Sequence, residues 1–234
     1  MDLTTAVGTL FRPFLDFVFP PTCLACGCLL AKEERHVCNA CWASIPRLHS
    51  GHPLFCQTRD RLIDSEVIAD LVSVFLFEKE GAFQSLAHAL KYDGFESVGI
   101  RIGRELGDLL LRFRIEADVL IPIPLHGVKF RERGFNQAET IAQGVSEITG
   151  IPVRTDILRR IRYTQTQTKL DQEQRKKNVE DAFSVSGAAH VTTGGTVILV
   201  DDVITTGATI VAAAQALRTR GSRKLIAASL ALAE

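Results

Sequence analysis

The chain has 234 residues, 46% hydrophobic and 23% charged, and its 27 basic and 27 acidic side chains cancel. That length suits one α/β domain with a small appendage, and the composition is that of a soluble globular protein. Neutrality excludes a global field drawing the chain to nucleic acid or membrane, and no apolar run reaches the roughly 18–20 residues that span a bilayer.

Residues 3–19 are apolar, with Phe11, Phe14, Phe17 and Phe19, but Arg12, Pro13 and Asp16 interrupt them. Without a basic start or a small-residue cleavage site, this is not a signal peptide. It reads as an amphipathic helix packing on the body or on a partner, with a membrane-surface helix as the alternative. With no export signal, the cysteines are expected in a reducing, cytoplasmic compartment.

Four of the six cysteines form two C-x-x-C pairs, Cys23/Cys26 and Cys38/Cys41, with eleven residues between them. Each pair places two thiolates on one tetrahedral Zn²⁺ through a tight turn, and the second pair closes a structural site with no open position for catalysis. Gly27 helps the chain reverse. Redox or merely reduced thiols are the competing readings, and Cys28 and His36 lie near enough to substitute as ligands. Cys56 has no evident partner.

Residues 50–64 read as a linker, which divides the chain into an N-terminal helix and zinc module (1–60) and a larger domain (61–234). Strand and helix then alternate. Residues 71–77 are strand-like, and 82–92 and 96–113 are helical, the latter with Val98, Ile102, Leu106, Leu109 and Leu110 on one face. Residues 119–123 form a buried strand stopped at Pro124. Residues 136–149 are helical, closed by Gly150. Two short strands, 153–158 and 182–185, flank a polar segment. A strand at 197–200, a helix at 208–220 and a last strand at 224–230 complete the order. Alternation of this kind predicts an α/β fold, a mostly parallel sheet with helices on both faces.

Three segments carry chemistry. After the strand ending at Pro124 comes a basic loop in which Arg131 and Arg133 present a fork to pyrophosphate beside the helix that Gly134 opens; a plain surface loop is the alternative. Between residues 154 and 177 there are eight Lys or Arg against three acids. The polar part of that stretch, 162–178, is long enough for a lid over a bound diphosphate, or else is a solvated excursion.

Most informative is 197–209. Four apolar residues run into Asp201 and Asp202, at the carboxyl end of a strand, where open α/β sheets bind ligands. Thr205, Thr206, Gly207, Ala208 and Thr209 then offer N–H groups and hydroxyls at a helix N-terminus, which suits a phosphate monoester. Two acids beside such a turn suggest a sugar phosphate. P-loop NTPases share the acidic strand but need a Gly-Lys pair, which is missing here; receiver domains carry their acids near the start of the domain.

This segment resembles the phosphoribosyl-pyrophosphate (PRPP) signature of type I phosphoribosyltransferases. The two C-x-x-C pairs, Leu90-Lys91-Tyr92, Pro122 to His126, Arg133 to Gln137, Thr164 to Gln167 and Val200 to Thr209, in that order, resemble the competence protein F (ComF) family. The resemblance implies a four-cysteine zinc module on a type I phosphoribosyltransferase domain, cytoplasmic, binding PRPP with Mg²⁺ or a related ribose 5-phosphate ligand. It implies pentosyl (glycosyl) transfer to an unidentified acceptor, linked to DNA uptake. The alternative is a non-catalytic adaptor in natural transformation that contacts single-stranded DNA and a helicase-like partner. Many relatives carry a further C-x-x-C-G pair before the larger domain; here only Cys56 lies in that region.

Overall fold

A computed structural model of the chain describes residues 20–161, 182–186 and 194–234. The segments 3–19 and 162–178 singled out above lie outside the described residues. The elements are α1 (Asn39–Ser44), α2 (Pro53–Ile63), β1 (Asp70–Leu76), α3 (Ala82–Tyr92), α4 (Glu96–Arg112), β2 (Val119–Pro122), α5 (Gly127–Arg133), α6 (Gln137–Thr149), β3 (Leu158–Arg160), β4 (Phe183–Val185), β5 (Thr196–Ile204), α7 (Ala208–Arg218) and β6 (Lys224–Leu232). Among the described residues, no helix is long and apolar enough to cross a membrane.

β1, β6, β5 and β2 lie side by side in that order, every pairing parallel. Val153 bridges Leu120 in parallel beyond β2, and Arg47 bridges Phe75 antiparallel on the outer edge of β1. The period of two along each strand splits its side chains between two cores. Ile198 and Val200 of β5 join Leu120, Ile226 and Ala228 under α3, α4 and α6. Val197 and Leu199 join Ile121, Leu225 and Ala227 under α2 and α7. Strands buried on both faces read as continuous apolar runs, as these do.

Two elements differ from the sequence reading. Residues 50–64 are not a linker: His52 Nδ1 accepts the Leu54 N–H at 3.2 Å as an N-cap, Pro53 takes the first helical position, and α2 follows. Proline is pre-set for that position, and its missing N–H costs nothing there. The short strands flanking the polar segment pair with each other, antiparallel, as a β3–β4 hairpin outside the main sheet.

α4 and α6 cross at backbone contact. Gly99, Gly103 and Gly107 form a stripe at four-residue spacing along α4, and Gly144 answers it from α6. A Cβ on Gly103 would stand 2.2 Å from the Ile141 carbonyl oxygen, and one on Gly144 would stand 2.2 Å from that of Ile100. Backbone atoms cannot swing aside as a side chain can. Gly103→Ala or Gly144→Ala should therefore destabilise by roughly 1–3 kcal/mol, lowering the thermal midpoint by about 2–4 °C per kcal/mol. Gly127→Ala, whose Cβ would meet only the flexible Arg131 Nη1 at 3.6 Å, should stay within about 0.5 kcal/mol of wild type. An unchanged midpoint for Gly103→Ala would contradict the close crossing.

Candidate functional site

β5 and β2 are neighbours whose chains leave the sheet on opposite faces, β5 into α7 and β2 towards α6. This is the switch point where open α/β sheets form a crevice. The sequence reading puts the acids at the carboxyl end of the strand, and β5 runs on past them to Ile204, because β6 continues pairing: Asp201 is opposite Ser229 and Ile204 opposite Leu232. In the same row, Ser229 Oγ donates to Ser73 Oγ at 3.0 Å, so the buried hydroxyls beneath the acids are satisfied.

Because neighbours on a strand point to opposite faces, the two acids diverge. Asp202 turns to the α3 side, where its Oδ2 accepts Lys91 Nζ at 2.7 Å and its Oδ1 accepts the Val203 N–H at 2.7 Å. Asp201 Oδ1 accepts the Asp202 N–H at 2.9 Å. Burial and the adjacent Asp202 carboxylate push Asp201 up to about 8, against the pull of that N–H and of Lys91. From the β3–β4 hairpin, Arg160 lies within electrostatic reach of Asp201; burial holds the arginine's own pKa down, and its guanidinium sits 5.6 Å from the Phe183 ring centre.

The turn after β5 exposes Thr205, Thr206 and Ala208, with Thr209 half-buried. Gly207 caps α7 in the left-handed conformation (φ +79°), and a Cβ there would lie 2.6 Å from Leu62 Cδ2 of α2. Glycine is required at this position by its backbone angle and by the packing of α2, before any ligand is considered. The helix has no side-chain cap; Thr206 Oγ1 accepts the Ala208 N–H only at 3.4 Å.

The basic segment after β2 is a helix rather than a loop. His126 Nδ1 accepts the Val128 N–H at 3.3 Å and opens α5. Gly134 closes α5 in the left-handed conformation rather than opening the next helix, which Asn136 caps through its Oδ1 to the Ala138 N–H. Asn136 Nδ2 also donates to the Ile123 carbonyl at 3.1 Å, tying α6 to the end of β2. Arg131 and Arg133 thus ride on the last turn of α5, Arg131 exposed, Arg133 half-buried with its guanidinium 5.6 Å from the Tyr92 ring centre. Adjacent residues of α3, Lys91 and Tyr92, contact Asp202 and Arg133 respectively. Sequence reasoning assigned no role to Lys91: a lysine in the last turn of a helix is an ordinary complement to the helix dipole.

At the N-terminal end, the sulfurs of Cys23, Cys26, Cys28 and Cys38 all lie within 4.8 Å of one another. The Cys41 thiol contacts those of Cys26, Cys38 and Cys23, which hold its pKa up. The Cys38 N–H points at Cys23 Sγ (3.4 Å) and the Cys41 N–H at Cys38 Sγ (3.5 Å). Gly27 supplies the left-handed turn (φ +74°). His36 turns away from the thiols, its Nε2 3.0 Å from Ser97 Oγ of α4. The module is fused to the body: Arg101 of α4 lies 4.5 Å over the Trp42 ring, and Cys23, Val37, Cys38 and Ile45 share the core under α3 and α4.

A model of the phosphoribosyl transferase domain matches residues 96–233, more than half of the chain. The chain belongs to the phosphoribosyl transferase domain family. A double zinc ribbon domain matches residues 14–59. Competence protein F of Haemophilus influenzae is 35% identical over 108 residues, 46% of this chain and 47% of that protein. The DNA utilization protein YhgH of Salmonella typhi is 27% identical over 87% of this chain and 93% of its own. Competence protein ComFC of Bacillus subtilis is 28% identical over 85% of this chain and 78% of its own. The chain thus spans about half of the first of these relatives and most of the other two. Among solved structures, a glutamine PRPP amidotransferase from B. subtilis complexed with ADP and GMP aligns with a TM-score of 0.40 and 26% identity, over 57% of this chain and 26% of that one.

The competence protein F resemblance and the α/β phosphoribosyltransferase fold are both borne out, and the thiol cluster with the double zinc ribbon match supports structural zinc. Four thiolates suffice for a tetrahedral zinc, and five converge here. Purified protein should carry one zinc by elemental analysis. Cys38→Ser should lose it, while Cys28→Ser and Cys41→Ser singly should each retain it. Loss of zinc from either of those single variants would contradict a site in which Cys23, Cys26 and Cys38 are shared and the fourth ligand is interchangeable.

Proposed function

We propose that the protein binds PRPP, or a related ribose 5-phosphate ligand, at the end of β5 and transfers the phosphoribosyl group to an acceptor. The observation that carries this reading is the acid pair within β5 running directly into a left-handed glycine turn at an uncapped helix N-terminus. Asp201 and Asp202 take the ribose hydroxyls. The backbone amides from Thr205 to Thr209 take the 5′-phosphate, where an uncapped helix end favours an anion. Arg131 and Arg133 on α5 take the pyrophosphate. Mg²⁺ bound to the diphosphate would neutralise part of the charge that Arg131 and Arg133 face.

The chemistry asks the side chains mainly for positioning and charge. As the C1′–oxygen bond to pyrophosphate breaks, positive charge develops on the ribose and negative charge on the leaving group. The Asp202 carboxylate near the first and guanidinium groups near the second stabilise that separation without reorganising. Tyr92 under the Arg133 guanidinium restrains one of those groups before the ligand arrives.

The names of the relatives extend the reading. Competence and DNA utilization are what those proteins are named for, and we place the phosphoribosyl site of this chain in the same process. Contact with single-stranded DNA and a helicase-like partner then follows from the resemblance, with the basic helix α5 as the local source of charge.

Calorimetry with PRPP and Mg²⁺, followed by incubation with labelled PRPP and a panel of bases and amines, tests the proposal. Wild type should bind. Asp202→Asn should bind roughly 10- to 100-fold more weakly, the scale of a lost hydrogen bond to a charged group. Wild type with no affinity for PRPP or ribose 5-phosphate would overturn the proposal.

A further inference from the structure

Lys91 is absorbed neither by the fold nor by the reading above. It stands on the last turn of α3, next to Ala89 and Leu90, which are both 1% exposed, so its backbone is anchored in the core. Its ammonium is 2.7 Å from Asp202 Oδ2, with both side chains largely shielded (25% and 19% exposed). The other oxygen of Asp202 accepts the N–H of Val203. An ionised carboxylate has about four lone-pair sites. These two contacts engage one site on each oxygen and fix the carboxylate plane, leaving a second site on each oxygen for an incoming hydroxyl.

We propose that Lys91 is the positioning residue that makes this site specific for a vicinal diol: it locks Asp202 in place, so that a ribose and not a 2-deoxyribose is held. The inference rests on the ribose 5-phosphate reading and adds to it the residue that sets the sugar class. Two carboxylates side by side beneath an anionic ligand are mutually repulsive, and a cation at contact distance from one of them offsets that repulsion. Among the described residues, the charged and titratable groups facing the pair are Asp201 and Asp202 from β5, Lys91 from α3 and Arg160 from the hairpin. Arg133 stands one residue away, over Tyr92. Lys91 makes a direct ion pair with Asp202 at 2.7 Å, so its loss removes that contact.

The pH consequence has a definite sign. Lys91 favours the ionised form of Asp201, which burial and Asp202 otherwise disfavour. Removing the ammonium should move the titration of Asp201 upward, so that this carboxyl holds its proton to higher pH.

The test compares wild type, Lys91→Met and Lys91→Arg for binding of ribose 5-phosphate, 2-deoxyribose 5-phosphate and inorganic phosphate. Carboxylate ¹³C NMR titrations of the ligand-free proteins accompany it. Wild type should prefer the ribose ligand by about 10-fold or more, the scale of one hydrogen bond to a charged group. Lys91→Met should lose that preference, bind inorganic phosphate as wild type does, and show the Asp201 carboxyl titrating at higher pH than in wild type. Lys91→Arg should restore the preference.

If Lys91→Met keeps both the ribose preference and the wild-type midpoint, the role of Lys91 is overturned while the ligand reading stands. If wild type binds neither sugar phosphate, the ligand reading itself falls. Should Lys91→Met not fold, Lys91→Gln serves in its place, and a wild-type protein without ribose preference overturns the inference by itself.

Discussion

The molecule depends on one central strand that must be apolar on both faces for half its length and then carry two acids. β5 has β6 on one side and β2 on the other, so Val197 to Val200 are fully buried. The same pairing continues along β6 beyond them and holds Asp201 and Asp202 in extended backbone, where they cannot rotate together to one face. The strand's alternation therefore sends Asp202 to the α3 side and Asp201 to the hairpin side. Lys91 meets the first and Arg160 faces the second. The two acids thus stand on opposite faces of the strand end, and the electrostatics there follow from a parity rule of the sheet.

The surroundings of β5 are built to hold that arrangement still. α4 and α6 touch backbone to backbone through Gly103 and Gly144, which sets α6, and with it Asn136 and the end of β2, at a fixed height over the sheet. On the other face, Leu62 of α2 fills the space that a side chain at position 207 would need. The zinc module continues this support. Trp42 packs edge-on against Phe75, Phe75 lies against Phe83 at the start of α3, and the far end of α3 carries Lys91. One helix thus runs from the zinc module to the acid pair.

Most of this architecture is legible in the sequence, because it rests on local signals. Buried strands announce themselves as apolar runs, and the helices 82–92 and 96–113 have apolar stripes that match α3 and α4 closely. The acid pair and the glycine turn lie within one seven-residue stretch, Asp201 to Gly207, so no long-range contact is needed to find them. What was hidden is what depends on tertiary neighbours. The helix α2 hides behind Pro53 and several charges, since only its packing under β1 reveals that Leu62 is core. Residues 127–133 look like a basic loop because their caps, His126 and Gly134, are ordinary residues until the chain is folded. Lys91 stands in a motif of the family resemblance but nothing local names its partner; Asp202 lies more than a hundred residues away, and only the fold brings them together.

The most direct measurement of the central claim is a crystal structure of the protein with ribose 5-phosphate bound. The account predicts the phosphate on the amides following β5, with the 2- and 3-hydroxyls divided between Asp201 and Asp202 and the Lys91 ammonium still on Asp202. A phosphate bound elsewhere, or a sugar that leaves both acids untouched, would contradict it.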